Sequence, residues 1–317
     1  MPKAKIILLA VLLIESVLCI AVSAQPPSKK DKQNVRTVTI PISIFTKKEL
    51  KQDQAAEFVQ IDRLIVKEDK EEQTILSVRS VVNTSLSLAV LLQEDLTSDV
   101  NLQLADVRDF IRRLPRGSRV MVAYIRGGTL QMRQRFTDDL EKAAKAVQII
   151  GAPASANGPY EGVSEATKYF EALPAGRRAI LLVSDGIDAS RGTNQLDLVS
   201  PPELDQAALK AQRGSIAVYS IYSPTRLTAS GNGALANLGQ SALAKLSDET
   251  GGQSFYTGTI APVSFLPFLR DVDILLGRQF ALTYMSTHMD RGYHRVEVMS
   301  TNPEVKIDHP KGYYYRR

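Results

Sequence analysis

The 317-residue chain has no tryptophan, three histidines and one cysteine. Cys19 lies in an apolar N-terminal segment, so the rest of the chain has no disulfide and no cysteine-based metal site. His288, His294 and His309 all lie near the C terminus, where a catalytic triad or a histidine metal cluster would have to form. We expect these histidines to pack on strands or to face solvent.

A cluster of basic charge is also missing. The formal net charge is +5, and it falls to about +4 without Lys3, Lys5 and Glu15 of the N-terminal segment, which are two cations and one anion. The remaining basic residues are scattered, whereas a nucleic-acid interface gathers them on one face with aromatic residues between them. No phosphate-binding or dinucleotide-binding glycine loop follows the first strand. These absences exclude nucleic acid as an expected partner.

Residues 1–24 are typical of a signal peptide. A basic start precedes a mostly apolar run over 6–22, and Val22-Ser23-Ala24 fits a small-residue cleavage site. The alternative is a retained membrane anchor, but the run is short and contains Glu15. Both interpretations predict export to the periplasm or the extracellular space, and cleavage leaves no membrane span in the mature form. Residues 25–33 are polar and predict a linker.

The pattern of apolar residues divides the remaining chain. Residues 86–277 alternate short apolar runs with segments of helical periodicity, which predicts an α/β domain with a doubly wound, mostly parallel sheet. Residues 34–85 and 278–317 instead alternate polar and apolar side chains, as antiparallel strands do. We predict that these two flanks pair into a smaller, discontinuous β-sandwich module interrupted by the α/β domain.

Two apolar runs of the α/β domain end in acidic residues. The run 88–92 leads into Asp95, and the run 179–183 leads into Ser184 and Asp185. Ligands of an open parallel sheet bind outside the carboxyl ends of its strands. Carboxylates with neighbouring hydroxyls are the ligands that Mg²⁺ and Ca²⁺ prefer. The sequence therefore predicts a site of hard oxygen ligands at this edge of the sheet.

The segment Asp95-Leu96-Thr97-Ser98-Asp99 resembles the Asp-x-Ser-x-Ser motif of von Willebrand factor A domains, and Asp185 matches their late strand-end aspartate. Asn157 takes the position of a middle-loop threonine when the chain is aligned on Tyr160. The resemblance implies a metal-ion-dependent adhesion site for Mg²⁺ or Ca²⁺ with five candidate ligands: Asp95, Thr97, Asp99, Asn157 and Asp185.

Asp99 departs from the family motif, because it adds a charge where the family has a neutral serine. A carboxylate strengthens ion binding. Together with Asp95, Asp185 and Glu94 it also satisfies the ion and weakens its attraction for a partner's carboxylate. Two interpretations therefore stay open, a functional ion site and a degenerate one retained as architecture. Asp188 matches a second acid of the family loop, but we expect it to cap a turn.

Both flanks resemble a family of secreted, acidobacterial-type von Willebrand factor A-related proteins. Residues 66–75 are similar to its V-x-E-D-G-x-x-Q-x-I hairpin, and 306–314 to its closing R-x-R-x-G-Y-Y. Lys70 replaces the hairpin glycine, so we expect a wider turn.

The resemblance implies an exported, non-enzymatic protein that binds another protein or a cell-surface ligand. The second hypothesis is a metal-independent scaffold. The third is a metal-assisted hydrolase, for which the sequence offers no recognisable pair of nucleophile and base.

Overall fold

The computed structural model describes residues 35–46, 64–81, 83–150, 158–174, 176–190, 192, 201–229 and 233–315. These residues belong to one compact unit, Val35–Arg317. The predicted signal peptide and linker, and the candidate ligand Asn157, lie outside the described residues.

The described residues contain thirteen strands and seven helices. The strands are β1 (Arg36–Thr46), β2 (Leu64–Glu68), β3 (Glu71–Ser80), β4 (Leu86–Gln93), β5 (Arg119–Arg126), β6 (Thr129–Thr137), β7 (Arg177–Ser184), β8 (Ile216–Tyr222), β9 (Ser254–Phe255), β10 (Gln279–Ser286), β11 (Gly292–Ser300), β12 (Val305–Asp308) and β13 (Gly312–Tyr315). The helices are α1 (Val100–Arg113), α2 (Leu140–Lys145), α3 (Pro159–Tyr169), α4 (Pro202–Arg213), α5 (Arg226–Ala229), α6 (Gly233–Thr250) and α7 (Leu266–Gly277). None of these helices has the length and apolar character needed to cross a bilayer.

The central part of the chain forms a six-stranded sheet in the order β6-β5-β4-β7-β8-β9. All neighbours are parallel except β5 and β6, which form an antiparallel hairpin. The chain runs from β4 to β5 on one side and then crosses to β7 on the other. The gap between β4 and β7 is therefore the topological switch point of the sheet. The predicted doubly wound, mostly parallel α/β sheet is confirmed.

Strand β4 is buried along its whole length because helices cover both faces of the sheet. Leu88, Val90 and Leu92 pack into one core together with residues of α1, α2 and α7. Ala89 and Leu91 pack into a second core with residues of α3, α4 and α6. Complete burial of each such leucine or valine contributes about 1.5–3 kcal/mol, so these two cores hold the switch point rigidly in place.

Helix α2 is shorter than the sequence pattern predicts. The apolar spacing indicates a helix from Thr137 to about Ile150, but the helix ends at Lys145. The Tyr124 hydroxyl donates to the Gln148 carbonyl (2.6 Å) and accepts from its N–H (2.8 Å). The side chain of Asn101 makes the same two contacts with Ile150. Because side chains satisfy these backbone groups, no further helical turn is needed.

The two flanks form a separate antiparallel sheet of seven strands, in the order β12-β1-β10-β3-β2-β11-β13. Strand β10 from the C-terminal flank lies between β1 and β3 from the N-terminal flank, and β11 pairs with β2. The predicted pairing of the two flanks is therefore present. The predicted β-sandwich is not confirmed, since the interleaved strands share one continuous hydrogen-bonded order. Their apolar side chains build a third core.

The hairpin between β2 and β3 turns through two residues only. Glu68 pairs with Glu71, and Asp69 and Lys70 between them have φ angles of 49° and 76°. Two successive residues with positive φ are the mark of a type I′ hairpin turn, which normally prefers glycine at the second position. The expectation of a wider turn is therefore wrong, since Lys70 takes the glycine conformation at some cost in strain.

Candidate functional site

The predicted ligands lie where β4 and β7 end side by side. Leu92 pairs with Val183, so the segments after both strands leave the sheet at neighbouring points. A third segment joins them, because the Thr97 N–H donates to the Pro224 carbonyl (2.9 Å). We call residues 93–99, 184–190 and 223–228 the carboxyl edge.

Asp185 is the buried centre of the carboxyl edge and is 2% exposed. Its Oδ1 accepts hydrogen bonds from Gln93 Nε2 (3.1 Å) and the Ile187 N–H (3.0 Å). Its Oδ2 accepts one from the Thr225 hydroxyl (2.7 Å). Burial raises the pKa of Asp185 to about 6; the charge of Asp95 adds to the rise, and the hydrogen bonds oppose it. The hydrogen bonds therefore only partly offset the cost of burying the charged carboxylate.

Gln93 links the two aspartates, and the sequence analysis did not identify it. Its Nε2 donates to Asp95 Oδ1 (2.8 Å) as well as to Asp185 Oδ1, while its Oε1 accepts from Ser184 Oγ and the Asp185 N–H. A neutral amide thus lies between two carboxylates and offers both of them hydrogens. The available signal in the sequence was a polar residue directly after the apolar run 88–92. The structure leaves Gln93 only 1% exposed, and a buried amide requires partners.

The other candidate ligands are placed differently. Thr97 is half-buried, and its Oγ1 atom is buried with no hydrogen-bond partner. Asp99 is exposed at the N-cap of α1 and makes no capping hydrogen bond. Asn157 lies outside the described residues, but Tyr160 after it donates its hydroxyl to the Gly186 carbonyl (2.6 Å). The start of α3 therefore contacts the carboxyl edge.

Two further acids near the carboxyl edge have other partners. Arg126 donates to both carboxylate oxygens of Glu94, with 2.7 Å between Nη2 and Oε1. This bidentate pair occupies Glu94, which the sequence analysis had considered as a contributor to the ion site. Asp188 Oδ1 accepts from the Ser190 N–H (3.0 Å) and hydroxyl. The expectation that Asp188 caps a turn is confirmed.

The chemistry of the carboxyl edge fits a hard divalent cation. Asp95, Thr97 and Asp185 offer carboxylate and hydroxyl oxygens. The Thr97 hydroxyl oxygen has no hydrogen-bond partner, and Mg²⁺ and Ca²⁺ bind oxygen ligands of this kind. The amide of Gln93 competes with such a cation, because it already donates to both aspartates. Among the described residues, Asp95, Asp99 and Asp185 are not a group whose ligand oxygens all lie within 4.8 Å of one another.

No family model matches the chain, and no curated protein matches it in sequence. The chain is similar in structure to an aerotolerance-related membrane protein from Bacteroides fragilis, with 14% identity over 61% of this chain and 98% of that one (TM-score 0.42). It is similar to a von Willebrand factor type A protein from Catenulispora acidiphila, with 10% identity over 88% and 73% (TM-score 0.41).

A third similar structure is the vWF domain of the type V pili tip protein Mfa5 from Porphyromonas gingivalis, with 11% identity over 60% of this chain and 94% of that one (TM-score 0.41). The matches thus include several domains of the von Willebrand factor A family, which the sequence motifs resemble. The fold itself is assigned from the strand order and the helices between the strands. The acidobacterial-type subfamily stays a prediction.

Proposed function

We propose that the chain is an exported, non-enzymatic interaction protein that binds a protein or a cell-surface ligand through the carboxyl edge. The observation that carries this proposal is the rigid hydrogen-bonded network joining the loops after β4 and β7 at the switch point, where α/β sheets bind ligands. Export is proposed from the signal-like segment 1–24.

We further propose that the carboxyl edge binds Mg²⁺ or Ca²⁺ through Asp95, Thr97, Asp99, Asn157 and Asp185. The unpartnered hydroxyl of Thr97 and the raised pKa of Asp185 support this, because a cation would use the first and compensate the charge of the second. A bound ion would supply an electrophilic centre for a carboxylate of the partner. The role of Asp95 and Asp185 is to hold it from two neighbouring loops.

A metal-independent scaffold is the second candidate, and the position of Gln93 favours it. The Gln93 amide donates to both Asp95 and Asp185, so the protein itself satisfies part of the negative charge. In that case the carboxyl edge keeps its shape without an ion, and binding does not depend on metal. A metal-assisted hydrolase has less support, because the three histidines lie on or beside strands of the other sheet, away from these carboxylates.

A binding experiment separates these functions. The purified chain is used to capture envelope proteins of the producing cell, in Mg²⁺ and Ca²⁺ or in chelator, and the same capture is repeated with Asp185→Ala. Asp138→Asn is the matched control: it removes an exposed carboxylate that follows β6, and antiparallel pairing places that residue at the opposite end of the sheet. The ion proposal predicts capture that is lost in chelator and in Asp185→Ala, and is kept in Asp138→Asn.

Capture that persists in chelator but is lost in Asp185→Ala would establish the scaffold instead. Capture that survives both would refute the carboxyl edge as the binding surface. Melting provides a second measurement, since an ion at a hundredfold excess over its Kd stabilises the fold by about 2.7 kcal/mol. Asp99→Ser should keep ion binding and make the ion more available to a partner's carboxylate.

A further inference from the structure

Another group of potential metal ligands lies in the seven-stranded sheet. Glu68 ends β2, Asp69 follows it in the hairpin turn, and His288 lies in the connection between β10 and β11. One ligand atom from each lies within 4.8 Å of the others. Of the His, Cys, Asp and Glu side chains that the structure describes, these three are the group that meets this distance.

Two atoms of this group are buried without a partner. Glu68 is fully buried, and its Oε1 atom accepts three hydrogen bonds, from Tyr313 (2.6 Å), Ser286 (3.0 Å) and Arg36 (3.3 Å). Its Oε2 atom has no hydrogen-bond partner, and neither has Nδ1 of His288. His288 Nδ1 is 3.9 Å from Glu68 Oε1, too far for a hydrogen bond. Leaving such atoms unpaired is costly, so both are available to a ligand, and the buried Tyr284 hydroxyl is a neighbour of the Glu68 carboxyl group.

The group is rich in carboxylates. Glu68 and Asp69 lie beside each other, and Glu71 is nearby. Arg36 pairs with Glu68, and both ring nitrogens of His294 are 2.8 Å from oxygen atoms, Asp69 Oδ2 and the Asp290 carbonyl. Carboxylates gathered in this way are suited to a divalent cation.

The surroundings orient the ligands as metal sites require. His288 Nε2 lies 3.5 Å from Glu71 Oε2, so the carboxylate favours the tautomer that leaves the Nδ1 lone pair for a metal. The Arg295 N–H donates to Asp69 Oδ1 (2.9 Å) and His294 Nδ1 lies 2.8 Å from Asp69 Oδ2, so the Asp69 carboxylate is fixed in orientation. The side chains of His288 and Asp69 are 20% and 36% exposed, which gives an ion a route in.

We propose that Glu68, Asp69 and His288 bind one Zn²⁺ ion, through Glu68 Oε2, His288 Nδ1 and the Asp69 carboxylate. Imidazole and carboxylate are established zinc ligands, and the ligand atoms of the group lie within 4.8 Å of one another, against about 3.3 Å around a tetrahedral zinc. The ion would join the β2–β3 turn to the C-terminal strands. In a mature chain without disulfides, it would stabilise the pairing of the two flanks. The proposal is independent of the carboxyl edge.

Isothermal titration of the full, untagged and chelator-treated chain with Zn²⁺ tests this site. We expect one ion per chain in the wild type and at least tenfold weaker binding in His288→Ala and Glu68→Gln. Glu72→Gln is the matched control, because Glu72 is an exposed carboxylate of the same hairpin. Asp185→Asn removes a carboxylate of the other site. Both should bind Zn²⁺ as the wild type does, whatever the outcome for Mg²⁺ and Ca²⁺.

Circular dichroism shows whether each variant is folded, and His288→Gln replaces His288→Ala if the latter is not. Co²⁺ in place of Zn²⁺ adds a visible absorption band that should disappear in the His288 variant. A wild type that binds no Zn²⁺ would overturn the proposal. Binding of unchanged affinity in folded His288 and Glu68 variants would overturn it as well, because the ion would then lie elsewhere.

Discussion

Replacing Asp185 by asparagine tests the account of the carboxyl edge through the pH dependence of stability. Burial raises the pKa of Asp185 from its ordinary 3.8 to about 6. At 1.36 kcal/mol for each pKa unit, ionisation of Asp185 costs the folded state about 3 kcal/mol without an ion. Asparagine has nearly the same shape and no charge, so it should avoid this cost.

The direction of the effect follows from proton binding. Between pH 4 and pH 6 the folded chain keeps the Asp185 proton and the unfolded chain releases it, so the free energy of unfolding decreases as the pH rises. Above pH 6 Asp185 is ionised in both the folded and the unfolded chain, and the free energy of unfolding decreases no further on its account. The network tolerates asparagine, because its Oδ1 can still accept from Gln93 and Ile187 while the Thr225 hydroxyl turns to accept from the new amide.

Urea unfolding followed by circular dichroism from pH 4 to pH 8, in chelator, measures this difference. We expect Asp185→Asn to match the wild type near pH 4 and to be more stable by up to about 3 kcal/mol at pH 7, or roughly 6 °C in Tm. Asp138→Asn should show no such pH dependence. A difference that is the same at pH 4 and pH 7, or a loss of stability at pH 7, would refute the reasoning. Millimolar Mg²⁺ or Ca²⁺ should stabilise the wild type alone if an ion binds.

Two backbone positions give further predictions, both measured by urea unfolding. Gly239→Ala should destabilise the fold by about 1–3 kcal/mol or more, because a Cβ on α6 would overlap the Asp185 carbonyl oxygen. Gly277→Ala is the control, because a Cβ at that position meets no atom within 4 Å. An equal loss of stability in both variants would contradict this prediction. Lys70→Gly should stabilise the fold by about 0.5–1 kcal/mol, since it relieves a φ of 76° in the hairpin turn, and an unchanged or lower stability would show that the turn is unstrained.

Much of the α/β fold could be predicted because its signals are local. The spacing of Leu104, Val107, Phe110 and Ile111 predicts a helix from Asn101 to Leu114. The structure buries all four side chains and places α1 at Val100–Arg113. The apolar run before Asp185 predicts β7, which the structure shows at 177–184. Parallel neighbours then bring Asp95 and Asp185 to one edge, as expected. Apolar periodicity reports which side chains are buried, and burial dominates folding energetics.

Features that depend on distant partners could not be predicted in this way. The end of α2 depends on Tyr124 and Asn101, which satisfy backbone groups beyond Lys145. The role of Gln93 depends on Asp185, 92 positions away in sequence. The strand order of the flanking module depends on which strands become neighbours, and the alternation of polar and apolar residues leaves this open.

By itself, the sequence determined most helices and strands of the α/β domain, its parallel sheet and the meeting of two acidic loops at its carboxyl edge, because each of these follows from patterns within a few residues. The tertiary structure alone decided that Glu68 and Asp69 lie against His288 and His294. The sequence alone predicts only that these histidines pack on strands or face solvent. Their contacts arise from the pairing of β2 with β11 and of β3 with β10, and the free energy of such long-range pairing leaves no mark in the local pattern.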